Sequence, residues 1–370
     1  MAVRILFFIE NLSGGGAEKV LCNLVNAMNR KKFEITVETL WRGEAARYLK
    51  DGIRYRYCYS GENRMNQYRS RIEAAAGLTY PFYIKDDYDI EVAYLEFGST
   101  KILSRSTNKH AKKIAWVHSD LKRKLDNAPN ALEKAKKQYD AFDSIVCVSQ
   151  TVKNSFVELF GREEDTVVLY NTLNESEIRR LAQLTPAELP AKKRLTVVAA
   201  GRLAVEKQYD MLLRVHKRLL DNGIEHDLWI VGEGSEREKL EAYILDNHLV
   251  ESVTLLGFQT NPYPYMRNAD ILVCSSRYEG LSTFVAEGLI LGKPIVTTDC
   301  SGMQELLGDS EYGLITENSE EALFIGMKKM LETEAERKRY AKLAGIRGEA
   351  FSERSLTEKT EQFFLNIVED

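Results

Sequence analysis

Short apolar runs alternate with longer amphipathic stretches along the whole chain, and this alternation restricts its possible folds more than any other feature. Runs of about four to eight apolar residues bounded by turn residues are typical of buried strands. The first half contains seven predicted strands: Val3–Ile9, Glu34–Leu40, Ile53–Tyr57, Ile90–Leu95, Lys113–Val117, Ser144–Val148 and Thr166–Leu169. The second half contains six: Leu195–Ala200, Asp227–Val231, Ser252–Leu256, Ile271–Cys274, Pro294–Thr298 and Gly313–Ile315. Because strands that alternate with helices form parallel sheets covered on both faces, we predict an α/β fold with two sheets.

The segment between Asn171 and Arg194 is predicted to join two domains. It is polar, contains two prolines and precedes a new predicted strand, as inter-domain linkers commonly do. A chain of 370 residues is also long enough for two cores. We therefore predict an N-terminal domain over residues 1–175 and a C-terminal domain over residues 190–351.

The last stretch, residues 352–370, has the pattern of an amphipathic helix. Five apolar side chains lie near one face of it: Leu356, Phe363, Phe364, Ile367 and Val368. We predict that this helix packs back on the N-terminal domain.

Composition excludes several classes of protein. The chain has 44% hydrophobic and 29% charged residues, which is typical of a soluble globular protein. Its five cysteines include no CxxC pair, so neither a disulfide framework nor a zinc site is predicted. The net charge of -4 gives no reason to expect nucleic-acid binding, and no apolar run approaches the ~18 residues of a membrane span. We expect a cytoplasmic protein whose contact with a membrane, if any, is peripheral.

Glycine-rich segments follow three predicted strands. Ser13–Glu18, which includes Gly15 and Gly16, opens a helix, and the N-H groups at a helix N-terminus suit a phosphate. Gly232 and Phe258 follow two later strands, where small residues keep a cleft narrow enough for a flat base. Each segment taken alone is equally compatible with an ordinary strand-to-helix turn.

Arg202 and Lys207 follow the first strand of the second half. Ligands of open α/β sheets bind outside the carboxyl ends of the strands, where these two cations fall. An arginine fork and a lysine point charge five positions apart are able to straddle a diphosphate. The alternative interpretation is a surface ion pair with Glu206.

Two carboxylates, Glu279 and Glu287, lie on either side of a predicted helix start. A carboxylate accepts hydrogen bonds from two hydroxyl groups at once and so suits a ribose diol. The amides of the intervening residues suit a phosphate; they belong to Leu281, Ser282 and Thr283. Two solvated glutamates are the alternative, but the apolar residues that follow predict a helix facing the core, where an unpaired carboxylate is costly.

These motifs, in this order, resemble the GT-B glycosyltransferases, specifically the large retaining family 4. The resemblance covers nearly the whole chain and rests on four segments: Gly14-Gly15-Gly16-Ala17-Glu18, Gly201-Arg202-Leu203 with Glu206-Lys207, Val231-Gly232-Glu233-Gly234, and Glu279 with Glu287 in an E-x7-E spacing. It implies two Rossmann-like domains whose parallel sheets face each other across a cleft. It also implies sugar transfer from a nucleotide sugar with retention of configuration, without a separate protein nucleophile.

The resemblance assigns roles to individual residues. Arg202 and Lys207 would neutralise the donor diphosphate, Glu287 would hold the ribose, and Glu279 would contact the transferred sugar. Gly15 and Gly16 would face the phosphates or the reacting centre. His118 ends a predicted strand where family members carry a histidine that contacts the donor sugar, so it is included among the catalytic residues.

The sequence departs from the family pattern at two positions that border the donor pocket. Gln208 stands where family members often carry glycine, and Ser282 stands where many carry glycine or proline. These departures leave the identity of the sugar open. Asp87-Tyr88-Asp89 has the spacing of a metal-binding motif, but it precedes a strand of the first half and is interpreted as a polar turn. We predict no metal and no cofactor; the donor, expected to be a UDP-sugar, is a substrate.

Residues 1–190 contain 29 Lys and Arg against 25 Asp and Glu, whereas the remainder contains 22 against 30. Such asymmetry indicates an anionic partner for the first half or ordinary solvated faces. Basic residues lie around His118 and in a second group with aromatic neighbours: Lys109, His110, Lys112, Lys113, Lys122, Arg123, Lys124, and Arg64, Arg69 and Arg71. We predict a glycan or polyprenyl-linked acceptor and docking on an anionic membrane.

The function predicted from the sequence is therefore transfer of a sugar to a hydroxyl of a glycan acceptor in surface polysaccharide or glycoconjugate synthesis. Two alternatives stay open at this point: a non-catalytic nucleotide-sugar-binding partner of another transferase, and a sugar-nucleotide epimerase of the same fold. A dehydrogenase is disfavoured because GxGxxG and its later acidic residue are absent.

Overall fold

The computed structural model describes residues 2–13, 15–125, 128–186 and 188–369, except the side chains of Ala45 and Arg123. Gly14, one of the glycines of the first motif, lies outside the described residues. The chain divides into two compact units, Met1–Leu173 with Glu353–Asp370 and Asn174–Ser352. The segment predicted as a linker contains a short helix, Glu175–Leu181, that belongs to the second unit.

The first unit is built on a seven-stranded parallel sheet of order β3-β2-β1-β4-β5-β6-β7. Its strands are β1 Val3–Ile9, β2 Phe33–Trp41, β3 Arg54–Tyr59, β4 Ile90–Ala93, β5 Lys112–Val117, β6 Ser144–Cys147 and β7 Thr166–Val168. The sheet is covered by α1 Gly16–Ala27, α2 Arg64–Ala76, α3 Thr79–Tyr83, α4 Gly98–Leu103, α5 Leu121–Leu125, α6 Pro129–Tyr139, α7 Gln150–Phe160 and the C-terminal helix. A 3-10 helix spans Glu44–Tyr48.

The second unit is built on a six-stranded parallel sheet of order β10-β9-β8-β11-β12-β13. Its strands are β8 Leu195–Ala200, β9 His226–Val231, β10 Val253–Leu255, β11 Ile271–Cys274, β12 Ile295–Thr298 and β13 Leu314–Thr316. Its helices are α8 Glu175–Leu181, α9 Tyr209–Asp221, α10 Arg237–Asp246, α11 Tyr263–Asn268, α12 Thr283–Ile290, α13 Met303–Leu307, α14 Glu320–Glu332 and α15 Glu334–Gly348. The 3-10 helices span Val205–Lys207 and Glu349–Phe351.

The predicted α/β class with two parallel sheets is confirmed, and all thirteen predicted strands are present with ends within two residues of prediction. Local chemistry explains the helix limits where side chains can act as caps. For α7, the Ser149 side chain accepts a hydrogen bond from the Val152 amide, and Gly161 ends the helix in the left-handed region. Strands such as β1, β4 and β6 are largely buried on both faces, which is why their sequences lack apolar-polar alternation.

The C-terminal helix α16, Glu353–Glu369, packs on the first sheet. The Phe364 ring lies 5.8 Å from Phe7 and 6.4 Å from Trp116, which are on β1 and β5. The buried Glu361 carboxylate accepts hydrogen bonds from the Asn29 amide at 2.6 Å and from Lys32 Nζ at 3.3 Å. The helix thus contributes both apolar and polar contacts to the first unit. Within the described part of the chain, no helix combines the length and the apolar character that crossing a bilayer requires.

Candidate functional site

In the second sheet β8 lies beside β11, with β9 and β10 on its other side. The connections that leave β8 and β11 therefore run in opposite directions across the sheet. Such a reversal opens a crevice outside the carboxyl ends of the two strands, where ligands of open α/β sheets bind. Arg202 and Lys207 follow β8, and Glu279 follows β11, so these predicted residues lie at the crevice.

Backbone hydrogen bonds join the loops at this edge. The Gly201 amide donates to the Val231 carbonyl at 2.9 Å, and the Gly232 amide donates to the Gly257 carbonyl at 2.9 Å. Gly232 has a φ of 146°, and a Cβ there would overlap the carbonyl oxygen of Gly201. The glycine is therefore required by the close approach of two loops, and Phe258, next in the chain to Gly257, is left 63% exposed at the rim.

Lys207 and Glu279 form an ion pair across the crevice, with Nζ 2.6 Å from Oε1. Both side chains are largely buried, at 21% and 14% exposure. Burial alone would lower the pKa of Lys207, but the neighbouring Glu279 carboxylate outweighs it and raises that pKa. The ammonium group is therefore held charged at neutral pH, as a partner for an anionic ligand requires.

Hydroxyl groups hold both partners of this pair. Ser276 Oγ donates to Glu279 Oε1 at 2.7 Å, and Ser275 Oγ donates to the Lys207 carbonyl at 2.8 Å. Thr298 Oγ1, at the end of β12, donates to the Ser276 carbonyl at 2.6 Å. A small pocket at this edge is lined by Lys207, Tyr209, Ser275, Ser276, Glu279 and Ser282. The sequence reasoning did not single out Tyr209 or Thr298, although Thr298 ends a predicted strand and the strand-end rule extends to it.

Arg202 does not join the Lys207–Glu279 pair. Its guanidinium lies 2.7 Å from Glu206 Oε1, and its side chain is 72% exposed. In this structure Arg202 thus makes the surface ion pair that the sequence left open as the alternative. An exposed pair of this kind contributes little to stability, so Arg202 is able to exchange Glu206 for an anionic ligand at small cost.

Glu287 lies on α12 and is buried, with 6% exposure. Its Oε1 accepts a hydrogen bond from the Tyr263 hydroxyl at 2.8 Å. Burial next to this carboxylate raises the pKa of Tyr263, which keeps the phenol as the donor. Glu287 is not among the residues that line the small pocket containing Glu279. No pattern in the sequence connected Tyr263 with Glu287.

The start of α12 has the predicted form. Ser282 is its N-cap, and the Ser282 side chain accepts a hydrogen bond from the Val285 amide at 3.4 Å. Leu281 and Ser282 are buried, and Thr283 is the first helical residue. The serine hydroxyl thus caps the start of α12, which follows β11.

In the first unit Gly16 begins α1 and Gly15 is its N-cap. This helix follows β1, and β1 lies beside β4 where the strand order reverses, as β8 and β11 do in the second sheet. Gly15 and Gly16 therefore lie at the carboxyl edge of their own sheet, as the motif predicted.

His118 lies at the same edge, directly after β5. Its ring is 4.8 Å from the Tyr94 ring, and Nε2 is buried without a hydrogen-bond partner among the described residues. Burial lowers the pKa of His118 to about 4, although the Glu96 carboxylate acts in the opposite direction. At neutral pH the imidazole is therefore uncharged and carries one unused ring nitrogen.

Glu96 organises the surroundings of His118, and the sequence reasoning missed it. The buried carboxylate accepts hydrogen bonds from the His118 amide at 3.1 Å, from Lys124 Nζ at 3.2 Å and from the Ser119 hydroxyl. Burial alone would raise the pKa of Glu96, but Lys124 and these donors outweigh it and lower that pKa. Its position directly after the predicted strand Ile90–Leu95 was the available signal.

The predicted basic cluster around His118 requires correction. Lys112 and Lys113 begin β5, whereas His118 follows its end, and six extended residues span about 20 Å. Lys122 pairs with Glu158, and Lys124 pairs with Glu96. The side chain of Arg123 lies outside the described residues. These lysines therefore do not form a continuous cationic rim beside His118.

Among the residues that the structure describes, no group of three or more His, Cys, Asp or Glu side chains is arranged to hold a metal ion. Asp89, the last residue of the Asp87-Tyr88-Asp89 motif, accepts a hydrogen bond from the Arg4 amide at 2.7 Å.

Comparison with known proteins identifies the family. The sequence profile "Glycosyltransferase Family 4" matches residues 14–177, and "Glycosyl transferases group 1" matches residues 183–345. The chain belongs to the GT-B glycosyltransferases. The boundary between the two matches falls near the division between the two compact units of this glycosyltransferase.

Two proteins that are similar in sequence to this chain are themselves named as glycosyltransferases. An N-acetylgalactosamine-N,N'-diacetylbacillosaminyl-diphospho-undecaprenol 4-alpha-N-acetylgalactosaminyltransferase from Campylobacter jejuni is 36% identical over 186 residues, which are 50% of this chain and 49% of that protein. The match thus spans about half of that relative's length. The amylovoran biosynthesis glycosyltransferase AmsD from Erwinia amylovora is 23% identical over 350 residues, covering 92% and 93% of the two chains.

Solved structures agree in fold. The crystal structure of HepE from Anabaena in complex with UDP and glucose superimposes with a TM-score of 0.78, covering 98% of this glycosyltransferase and 99% of HepE. Sequence identity is 18%, so this likeness concerns the fold.

Proposed function

We propose that this glycosyltransferase moves a sugar from a UDP-sugar to a hydroxyl of a lipid-linked glycan, with retention of configuration and without a metal ion. The observation that carries the proposal is the charged Lys207–Glu279 pair at the strand-order reversal of the second sheet. Two similar proteins support the choice of acceptor and donor. The Campylobacter relative acts on a diphospho-undecaprenol acceptor, and HepE was crystallised with UDP and glucose.

In the proposed reaction the bond between the sugar carbon and the diphosphate oxygen breaks, and a bond to the acceptor oxygen forms on the same face. The acceptor proton passes to the leaving diphosphate. Because negative charge grows on that diphosphate, Lys207 and Arg202 stabilise the transition state more than the bound donor. When the donor binds, Lys207 and Arg202 exchange their carboxylate partners, Glu279 and Glu206, for the diphosphate. Glu279 then contacts the sugar.

Glu287 is proposed to hold the ribose. A carboxylate has about four acceptor positions, so it accepts from the Tyr263 hydroxyl and from a ribose diol together. His118 enters the proposal as a neutral hydrogen-bonding group, consistent with its unused ring nitrogen.

A panel of nucleotides and nucleotide sugars tests the donor. We expect UDP and one UDP-sugar to raise the melting temperature, because a bound ligand stabilises the folded state by mass action. Stabilisation by GDP or ADP derivatives instead would reassign the nucleotide. Transfer is then measured with a polyprenyl diphosphate glycan, with and without EDTA, and the anomeric configuration of the product is read by NMR. An epimerised nucleotide sugar without acceptor would favour the epimerase.

Tyr263→Phe is expected to weaken UDP binding about three- to tenfold. The variant removes one donor from the Glu287 carboxylate, and a typical intramolecular hydrogen bond contributes about 0.5 to 1.5 kcal/mol net. Tyr265→Phe is the matched control, because Tyr265 lies on the same helix, is equally buried and donates to the Glu188 carbonyl at 3.0 Å. Calorimetry with UDP gives both affinities, and equal losses in the two variants would contradict the role of Glu287.

A further inference from the structure

Helix α2 and the adjacent α3 carry a group of exposed large apolar side chains. The exposed fractions are 75% for Met65, 70% for Tyr68, 50% for Ile72, 39% for Leu78 and 51% for Phe82. Scattered single apolar residues are normal on protein surfaces, whereas a contiguous group marks an interaction site.

The polarity of α2 is reversed relative to a helix that covers a core. Met65, Tyr68 and Ile72 are spaced by three and four positions and form one exposed stripe. The buried residues of α2 are instead the polar Ser70 and Glu73. The apolar stripe therefore faces away from the sheet because the inner face is polar, and not because the helix is loosely attached.

The polar inner face is satisfied by specific partners. Glu73 accepts a hydrogen bond from the Tyr59 hydroxyl, and Arg69 Nε lies 2.6 Å from its other oxygen. Burial alone would raise the pKa of Glu73, but these two donors outweigh it and lower that pKa. Arg105 donates to the carbonyls of Ala74 and Ala75 at 3.3 and 2.8 Å and so holds the end of the helix.

Arginines flank the apolar stripe. On a helical projection Arg64 and Arg71 fall on one side of it and Arg69 on the other. Arg64 and Arg71 are exposed, and neither belongs to an ion pair among the described residues. An apolar stripe bordered by cations is typical of helices that lie in the plane of a membrane interface, with apolar side chains at the acyl boundary and cations at the phosphates.

We infer that α2 and α3 dock this glycosyltransferase on an anionic lipid surface. A second copy is a poorer occupant, because a symmetric contact would place the arginines of one stripe near those of the other. An acidic protein segment would match the arginines and leave the apolar residues in water. The inference deepens the proposed function: it depends on the lipid-linked acceptor for its biological role, whereas its location depends only on the exposed residues of α2 and α3.

Vesicle flotation tests the inference, with neutral phosphatidylcholine vesicles and with vesicles that also contain phosphatidylglycerol. We expect binding to the anionic vesicles and much less to the neutral ones. Replacing Arg64 and Arg71 by Gln should lower the partition coefficient at least tenfold, because each cation near an anionic leaflet adds attraction. Lys134 and Lys136, exposed on α6 of the same unit, are changed to Gln as a control of equal charge, and this control should stay within about twofold of wild type.

The apolar stripe is tested separately. The double variant Met65→Ser/Ile72→Ser should also bind at least tenfold less, whereas Leu245→Ser/Val250→Ser, exposed apolar residues of the second unit, should not change binding. The fluorescence of Tyr68→Trp should shift to the blue on the anionic vesicles. Thermal stabilisation by UDP should be the same in all these variants, so failure of docking is distinguishable from failure of the proposed donor.

Equal binding of wild type and both stripe variants to anionic vesicles would overturn the inference. The inference would also be overturned if the wild type did not bind vesicles and instead formed a dimer that Met65→Ser/Ile72→Ser dissociates. That result would assign the stripe to a contact with a second copy. Loss of binding in the lysine control to the same extent would indicate diffuse charge attraction and would also overturn it.

Discussion

Lys207→Met should lower kcat by about 100- to 1,000-fold, the range found when one preorganised donor to a developing charge is removed. The ammonium of Lys207 is held charged and largely buried beside Glu279, so no other described group at this edge takes its place without rearrangement. Arg202→Ala should cost less, about tenfold, because the Arg202 side chain is 72% exposed and its attraction is screened by water. Initial rates at saturating UDP-sugar measure both.

A matched control separates catalysis from charge. Lys217, on α9 of the same unit, also lies 2.6 Å from a carboxylate, Asp221, but this pair is on the surface, so Lys217→Met should leave the rate unchanged. Lys207→Met leaves Glu279 without its ion-pair partner and is expected to lower the melting temperature. Lys207→Met/Glu279→Gln removes both charges and should recover stability without recovering activity. Recovery of the rate in that double variant would exclude Lys207 as the group that stabilises the leaving diphosphate.

Acidification is expected to destabilise the second unit steeply below pH 6.5, through a buried pair of histidines. His216 Nδ1 lies 2.8 Å from His226 Nε2, His216 Nε2 lies 2.9 Å from Ser252 Oγ, and His226 Nδ1 lies 2.9 Å from the Ile224 carbonyl. Because a carbonyl only accepts, His226 donates through Nδ1 and accepts through Nε2. His216 then donates to His226 through Nδ1, so His226 must be neutral. A neutral His216 accepts at Nε2 from the Ser252 hydroxyl, which also lies 3.3 Å from the Leu249 carbonyl.

The sign follows from the direction of the pKa shifts. Burial lowers the pKa of His216, and the nearby His226 and Arg194 lower it further; burial also lowers the pKa of His226, against the influence of Ile224 and Asp227. Below about pH 6.5 the unfolded chain binds protons that the folded chain does not. The free energy of unfolding should therefore fall by about 1.4 kcal/mol per pH unit for each histidine, until the folded pKa is reached.

Segment-resolved hydrogen exchange between pH 7 and pH 5 measures this effect in α9 and β9. The resolution by segment matters, because His118, whose pKa is about 4, destabilises the first unit over an overlapping range. His216→Gln/His226→Gln should reduce the pH dependence in the second unit while lowering its stability at pH 7. The control is His248→Asn, at an exposed position with a φ of 56° that asparagine tolerates. An unchanged slope in the double variant would assign the acid sensitivity to other groups.

Much of the fold could be predicted from the sequence. Both sheets consist largely of parallel strands buried on two faces, which favours nearly continuous apolar runs such as Val3–Ile9 and Leu195–Ala200. The rule that ligands bind outside strand ends also predicted that Lys207 and Glu279 lie at one edge of the second sheet, and they do, because both follow strand ends. The sequence showed Gly232 directly after a strand, but the close approach of two loops that requires a glycine there is seen only in the tertiary structure.

The sequence alone determined the α/β class, the strands and the strand-end positions of Lys207, Glu279 and His118, because these depend on local periodicity and composition. Only the tertiary structure decided which of these side chains meet. The partners Lys207 and Glu279 are 72 positions apart, and Tyr263 and Glu287 are 24 apart. It also separated Lys112 from His118 by the length of β5, and it turned the apolar stripe of α2 outward by binding Glu73 on the inner face. The physical reason is that periodicity specifies which face of an element is apolar, whereas strand order and the pairing of buried charges depend on contacts between elements distant in the chain.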